Sequence, residues 1–178
     1  MPKLKAKIMT SEMVARALRR MAHEIIEKNK NLNDLVLIGI KRKGPPLAHR
    51  VAGYIEQIEG IKPPTGALDI TWHRDDLKEG KCEPVEGERV IDVPIEGSSI
   101  VLVDDVLYTG RTVRAAMDAL MDYGRPKVIQ LAVLIDRGHR EIPIKADFVG
   151  KNVPTSRNEI ISVKISEING VDEVQIME

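Results

Sequence analysis

The chain has 178 residues, enough for one domain whose sheet is covered on both faces, and its 43% hydrophobic and 30% charged content are ordinary for a globular protein. Lys plus Arg and Asp plus Glu balance at 27 each, so no net field recruits a polyanion and any such site must be a local patch. A single cysteine, Cys82, excludes an intramolecular disulfide, 3% aromatic residues argue against a broad base-stacking platform, and no apolar stretch reaches the length of a membrane span. Met1-Pro2-Lys3-Leu4-Lys5-Ala6-Lys7 is not followed by the apolar core of a secretory leader, and the expected location is the cytoplasm.

From Thr10 to about Lys30, Met13, Val14, Ala17, Leu18, Met21, Ala22, Ile25 and Ile26 recur at helical spacing. Arg16, Arg19, Arg20 and His23 fall mostly off that stripe, on a face that is either simply solvated or a nucleic-acid contact. After a break at Asn31 to Asp34, Leu35-Val36-Leu37-Ile38-Gly39-Ile40 reads as a strand buried on both faces of a parallel sheet. Lys41-Arg42-Lys43-Gly44 follows at its carboxyl end, where open α/β sheets bind ligands, and Pro45-Pro46 suit the start of a helix. Ala67 to Trp72 alternates like a strand. Arg74 to Lys81 reads as a lid-like loop, and Arg89 to Pro94 as a returning strand.

The stretch Val101 to Val113 carries the most chemistry. An apolar run feeds Asp104 and Asp105, a short loop holds Thr109 and Gly110, and a helical pattern begins at about Thr112. Helix N-termini present unpaired N–H groups and partial positive charge, Gly110 allows close backbone approach, and the hydroxyls of Thr109 and Thr112 add donors for an anion. The carboxylates suit sugar hydroxyls, or a divalent cation bound to them, so the stretch suggests a phosphorylated ribose. Met117, Leu120 and Met121 continue a helix that ends near Gly124. Lys127 to Ile135 is another buried strand, ending in Asp136-Arg137-Gly138-His139-Arg140, and Ala146 to Gly150 and Ile160 to Ile165 complete the expected strands. This alternation predicts an α/β, doubly wound, mainly parallel sheet with an inserted β-hairpin or lid near 74–90, in a single domain over 1–178.

Val101 to Val113 resembles the signature of type I phosphoribosyltransferases: an apolar segment, two acidic residues and a T-G-x-T loop. I-D-R-G-H-R-E-I-P-I (135–144), A-D-F-V-G-K-N-V-P-T-S (146–156), A-H-E-I-I-E-K-N-K (22–30) and L-D-I-T-W-H-R-D-D-L (68–77) extend the likeness over nearly the whole chain. They resemble the pyrimidine operon regulators that are also uracil phosphoribosyltransferases. The resemblance, not the spacing, implies transfer from phosphoribosyl pyrophosphate (PRPP) to uracil with Mg2+ held mainly by the substrate. It implies a PRPP site over Val103, Asp104, Asp105, Val106, Leu107, Tyr108, Thr109, Gly110, Arg111 and Thr112, with Asp105 and Asp104 as the catalytic candidates. Lys41, Arg42, Lys43 and Gly44 would face the pyrophosphate, and Arg74 would reach it from the lid. Asp136 and Arg137 would contact the base, Phe148 would stack on it, and the Val149 backbone would hydrogen-bond it. A messenger RNA stem-loop of the pyrimidine operon, bound in response to UMP or UTP, would meet Arg16, Arg19, Arg20, His23, His139, Arg140, Lys145 and Lys151 in a homodimer or larger assembly. The chain departs from the family at Lys41-Arg42-Lys43-Gly44, where K-T-R-G is usual, at Trp72-His73, where Leu-Tyr is, and at Arg19, where Thr is. The altered loop leaves a nucleotide-sensing regulator with little turnover, or a purine salvage enzyme, as competing readings.

Overall fold

A computed structural model describes residues 1–71 and 91–178. The expected lid, Arg74 and Cys82 lie outside them. The chain runs β1 (Leu4–Met9), α1 (Ser11–Lys28), β2 (Leu35–Ile40), α2 (Gly44–Glu59), β3 (Thr65–Leu68), β4 (Ser99–Leu107), α3 (Arg111–Met121), β5 (Val128–Asp136), β6 (Phe148–Asn152), β7 (Ile160–Lys164), α4 (Ser166–Asn169) and β8 (Glu173–Met177). Five strands form a parallel sheet in the order β3-β2-β4-β5-β6, so the doubly wound expectation holds. β1, β8 and β7 form a separate antiparallel sheet that the sequence pattern did not separate from the main one. Ile91 to Pro94, expected as a strand, is irregular, and Pro94 has no N–H for a ladder. The side chains of Ile91 and Val93 nevertheless pack under Gly66 of β3.

Strand periodicity divides the core. Leu35 and Leu37 face α1, α2 and the apolar side of the antiparallel sheet, whereas Val36, Ile38 and Ile40 face α3. α1 starts on Thr10, whose hydroxyl accepts from the Met13 N–H, and its apolar stripe is buried as the spacing required. At its far end, buried Asn29 donates to the Ile25 carbonyl and to Gln130 of β5, and Lys28 pairs with Asp147 at 2.7 Å. The parallel strands leave β2 and β4 in opposite directions, through α2 to β3 and through α3 to β5. The crevice this opens at their carboxyl ends is where ligands sit in such sheets.

Arg50 of α2 ties the two sheets together. Its guanidinium donates to Asp172 at 2.8 and 2.9 Å, to the Ser166 hydroxyl at 2.9 Å and to Glu167 at 2.7 Å. Those hydrogen bonds hold the Glu167 and Asp172 carboxyls below their ordinary 4.5 and 3.8. The stabilisation is therefore present above those values and is lost as pH falls through the lower, folded ones. Arg50→Ala should lower unfolding stability by about 2 kcal/mol in urea melts near pH 7, since the cluster is only partly screened by solvent. The gap between variant and parent should close in acid.

Candidate active site

Two adjoining clefts occupy the crevice. The first, about 440 Å³, is lined by Lys41 to Lys43, Asp69 to Thr71, Asp104 to Val106 and Thr112. The second, about 390 Å³, is lined by Val106 to Val113 and Glu141, so Val106 and Thr112 belong to both. One ligand can thus span a cationic loop, an acidic pair and a helix start.

The loop gets its place from backbone proximity. A Cβ on Gly39 would lie 2.1 Å from the Pro45 nitrogen, and one on Gly44 would lie 2.4 Å from the Val103 carbonyl oxygen. Only glycine lets the turn fold back on the ends of β2 and β4. The Lys41–Arg42 peptide is cis. Lys41 and Arg42 are exposed, while Lys43 is half-buried, with its ammonium 3.9 Å from Asp105 Oδ2 and donating to the Val163 carbonyl of β7.

Asp104 is buried in register with Val133 on the α3 side of the sheet. Val103 and Val106 both pack toward α1 and α2, so strict alternation is interrupted across the two carboxylates. Each carboxylate accepts from the next backbone N–H, Asp104 from Asp105 at 2.9 Å and Asp105 from Val106 at 2.8 Å. Burial, reinforced by the charge of Asp105, pushes the Asp104 carboxyl well above the usual carboxylate range. Beside the pair, the Thr71 hydroxyl and N–H donate to Asp69 at 2.6 and 3.0 Å and hold it below that range.

In the second cleft Gly110 sits at φ +95° before α3, and a Cβ there would press to 3.0 Å on Ile142. Thr109 accepts from the Arg111 N–H through its hydroxyl, at 3.3 Å, and from Glu141 N–H through its carbonyl, at 3.0 Å. Arg140 reaches under the loop to the Tyr108 carbonyl at 2.8 Å, the Ile144 carbonyl at 2.9 Å and Asp136 at 2.6 Å. Val103 and Leu107 point into the core and contribute backbone only. The Arg137 guanidinium lies 4.0 Å from the Tyr108 ring centre and donates to Thr155 and to the Ser156 and Glu159 carbonyls at 2.8–3.1 Å. Arg137 is thus buried, 7% exposed, and braces the segment that leads into β7. His139, at φ +65°, contacts the Thr155 carbonyl.

Two expectations about the base pocket need correction, the Phe148 stack and the Arg137 side-chain contact, since that guanidinium is committed to Thr155, Ser156 and Glu159. Phe148 is 3% exposed, in the core under α1, with the Lys28 ammonium 5.7 Å from its ring centre, so it has no face to offer a base. Its register with Ala132 turns it to the inner side of the sheet. The Val149 carbonyl accepts from Arg20 at 3.2 Å, and its side chain packs on the α3 side. Nor do the eight cations expected on an RNA face serve one purpose. Arg20 caps the Val149 and Gly150 carbonyls of edge strand β6, and Arg140 is committed to the turn before α3. Arg16, Arg19 and His23 are exposed on α1, Arg19 lying 5.2 Å from the Tyr54 ring centre, and Lys145 and Lys151 are exposed elsewhere. Asp69, Thr71 and Glu141, which line the clefts, were not anticipated. Asp69 and Thr71 follow a strand of this sheet, the position that marked the other two loops.

A family model for a phosphoribosyl transferase domain matches residues 6–167. The chain belongs to that family. Among curated relatives, the bifunctional protein PyrR of Thermoanaerobacter sp. (strain X514) is 59% identical over 176 residues, 99% of each chain. PyrR of Clostridioides difficile (strain 630) is 59% identical over 98% of each, and that of Thermus aquaticus 57% identical over 99% of this chain and 97% of the relative. Among solved structures, a hypoxanthine phosphoribosyltransferase from Staphylococcus aureus has TM-score 0.75 at 17% identity, covering 99% of this chain and 92% of that one. A hypoxanthine-guanine phosphoribosyltransferase from Bacillus anthracis has TM-score 0.73 at 16% identity, covering 100% and 99%. At such identity these structures show that this phosphoribosyltransferase-family chain shares their fold, and nothing of its substrate.

Because the folded pKa of Asp104 is raised, the protonated group favours folding fully below 3.8, and that contribution is lost as pH rises through the folded value. Asp104→Asn should therefore melt higher than the parent at pH 7, by about 2–4 °C per kcal/mol relieved in a domain of this size. Calorimetry in a pH series should show the difference vanishing in strong acid. Gly44→Ala should instead lose about 1–3 kcal/mol in urea melts by driving the loop off Val103.

Proposed function

We propose that this protein transfers the 5-phosphoribosyl group of PRPP to uracil, giving UMP and pyrophosphate. The supporting observation is the cleft that sets Lys41 to Lys43 opposite Asp104 and Asp105 and shares Thr112 with the helix-start cradle. The 5′-phosphate is held by the N–H groups and hydroxyls of Thr109 to Thr112, where the α3 dipole favours negative charge. The ribose hydroxyls face Asp104 and Asp105, and Lys41 and Arg42 neutralise the pyrophosphate. Uracil lies by Asp136, at the carboxyl end of β5, rather than against Phe148.

In the reaction the bond from the anomeric carbon to pyrophosphate oxygen breaks, the bond to uracil N1 forms, and the N1 proton leaves. Positive charge develops on the sugar, and the fixed acidic pair stabilises it without reorganising. Asp105, the more exposed of the two, is placed to stabilise the sugar cation or relay that proton. No cluster of three acidic, His or Cys side chains able to hold a metal occurs among the described residues. Two carboxylates fit a Mg2+ carried mainly by pyrophosphate and ribose oxygens, which when bound supplies charge neutralisation to the leaving group.

The same single-domain protein, working in the cytoplasm as a homodimer or larger assembly, binds a stem-loop of its pyrimidine operon messenger RNA when loaded with UMP or UTP. The relatives' designation as bifunctional PyrR supports this second role. Exposed Arg16, Arg19, His23, Lys145 and Lys151 supply phosphate contacts. The competing reading, a nucleotide sensor with little turnover, draws support from Lys43, whose ammonium is engaged with β7 and Asp105.

A turnover assay with uracil, hypoxanthine and orotate separates these. UMP from uracil is expected, product from hypoxanthine alone would refute the pyrimidine reading, and no product would leave the sensor. For the RNA role, Arg16→Ala with Lys151→Ala should weaken stem-loop binding and lower the slope of log K against log salt by about 2. An unchanged slope would remove these side chains from the interface.

A further inference from the structure

Lys43 stands where three parts of the fold meet. It immediately precedes α2, its ammonium donates to the Val163 carbonyl of β7, and the same nitrogen lies 3.9 Å from Asp105 Oδ2. Among the described residues, no other Lys or Arg forms an ion pair with Asp104 or Asp105. The next residue, Gly44, is wedged against the Val103 carbonyl, so the stem of Lys43 starts from a fixed point and can span to β7 in few ways. An ammonium has three donors on a compact charge and can serve a carbonyl and a carboxylate together. Lys41 and Arg42, by contrast, are exposed in the same cleft and are the cations positioned for a leaving group.

The strand that Lys43 grips also carries Ile160, three residues before Val163, on the side where Arg137 holds the Glu159 carbonyl at 2.8 Å. The grip therefore links the acidic pair of the parallel sheet to the strand whose entry Arg137, at the end of β5, holds. We propose that Lys43 is a positioning residue, a latch that sets the start of β7 relative to the acidic pair and so the width of the gap in which the acceptor base is received. The kinetic consequence rests on the phosphoribosyl-transfer reading; the latch itself does not.

The full-length protein, Lys43→Met, Lys43→Gln and Lys43→Arg are compared by amide hydrogen exchange over residues 160–164 and by steady-state kinetics with uracil and PRPP. Loss of a charge-assisted hydrogen bond should speed exchange over β7 by about tenfold or more in the Met and Gln variants, with β4 unchanged. KM for uracil should rise about tenfold while KM for PRPP moves less than about threefold, and Lys43→Arg, which keeps charge and reach, should restore most of both. The proposal is overturned if KM for PRPP rises and pyrophosphate inhibition weakens while uracil KM and β7 exchange stay as in the parent, because Lys43 is then an ordinary leaving-group ligand. Unaltered β7 exchange in both neutral variants overturns it equally. If the parent makes no UMP, the transfer reading fails separately and the exchange comparison still decides the latch.

Discussion

The active face depends on backbone meeting backbone at the switch point of the parallel sheet. Gly39 and Gly44 bring the 41–44 turn to within a side chain's thickness of Pro45 and Val103, where any Cβ would overlap main-chain atoms. From that contact follow the start of α2, the cationic rim of the cleft and the reach of Lys43 to Asp105. Because the contact is main chain on main chain, it does not relax by a rotamer change, and the loop is held in place before any ligand arrives.

Electrostatics then set a chain of neutral net charge to local work. Buried Asp104 sits beside Asp105 at a cost in folding free energy. Elsewhere the charges are paired for the fold's own sake. Arg50 binds Glu167 and Asp172 across the two sheets, Lys28 binds Asp147, and Arg20 covers the free carbonyl edge of β6 that would otherwise invite another strand. Arg140 supports the phosphate loop from beneath. A cation on a helix face or in a loop can therefore be structural, and its partner, distant in the chain, decides which.

Much of the catalytic face was legible in local pattern. The β4 run, the two carboxylates and the T-G-R-T turn occupy one continuous stretch whose strand, loop and helix start each carry their own signal, and the structure adds that Gly110 takes a positive φ. The same held for Lys41 to Gly44 after the wholly buried β2. Phe148 was misread because its role depends on which side of β6 faces α1, a matter of register with β5. β1 and β8 were missed since each is short, and they become strands by pairing with each other across most of the chain, β8 also with β7. Asp69 joins the cleft by packing between strands.

The sequence by itself determined the alternation of buried strands and amphipathic helices, the glycine turn into α3 and the acidic pair, because periodicity, glycine conformation and helix polarity act over a few residues. Tertiary structure alone decided which cations are engaged within the fold and that Lys43 joins two sheets. Those outcomes turn on side chains meeting carbonyls more than a hundred residues away, as Lys43 does Val163 and Arg20 does Gly150, and no local pattern specifies such a meeting.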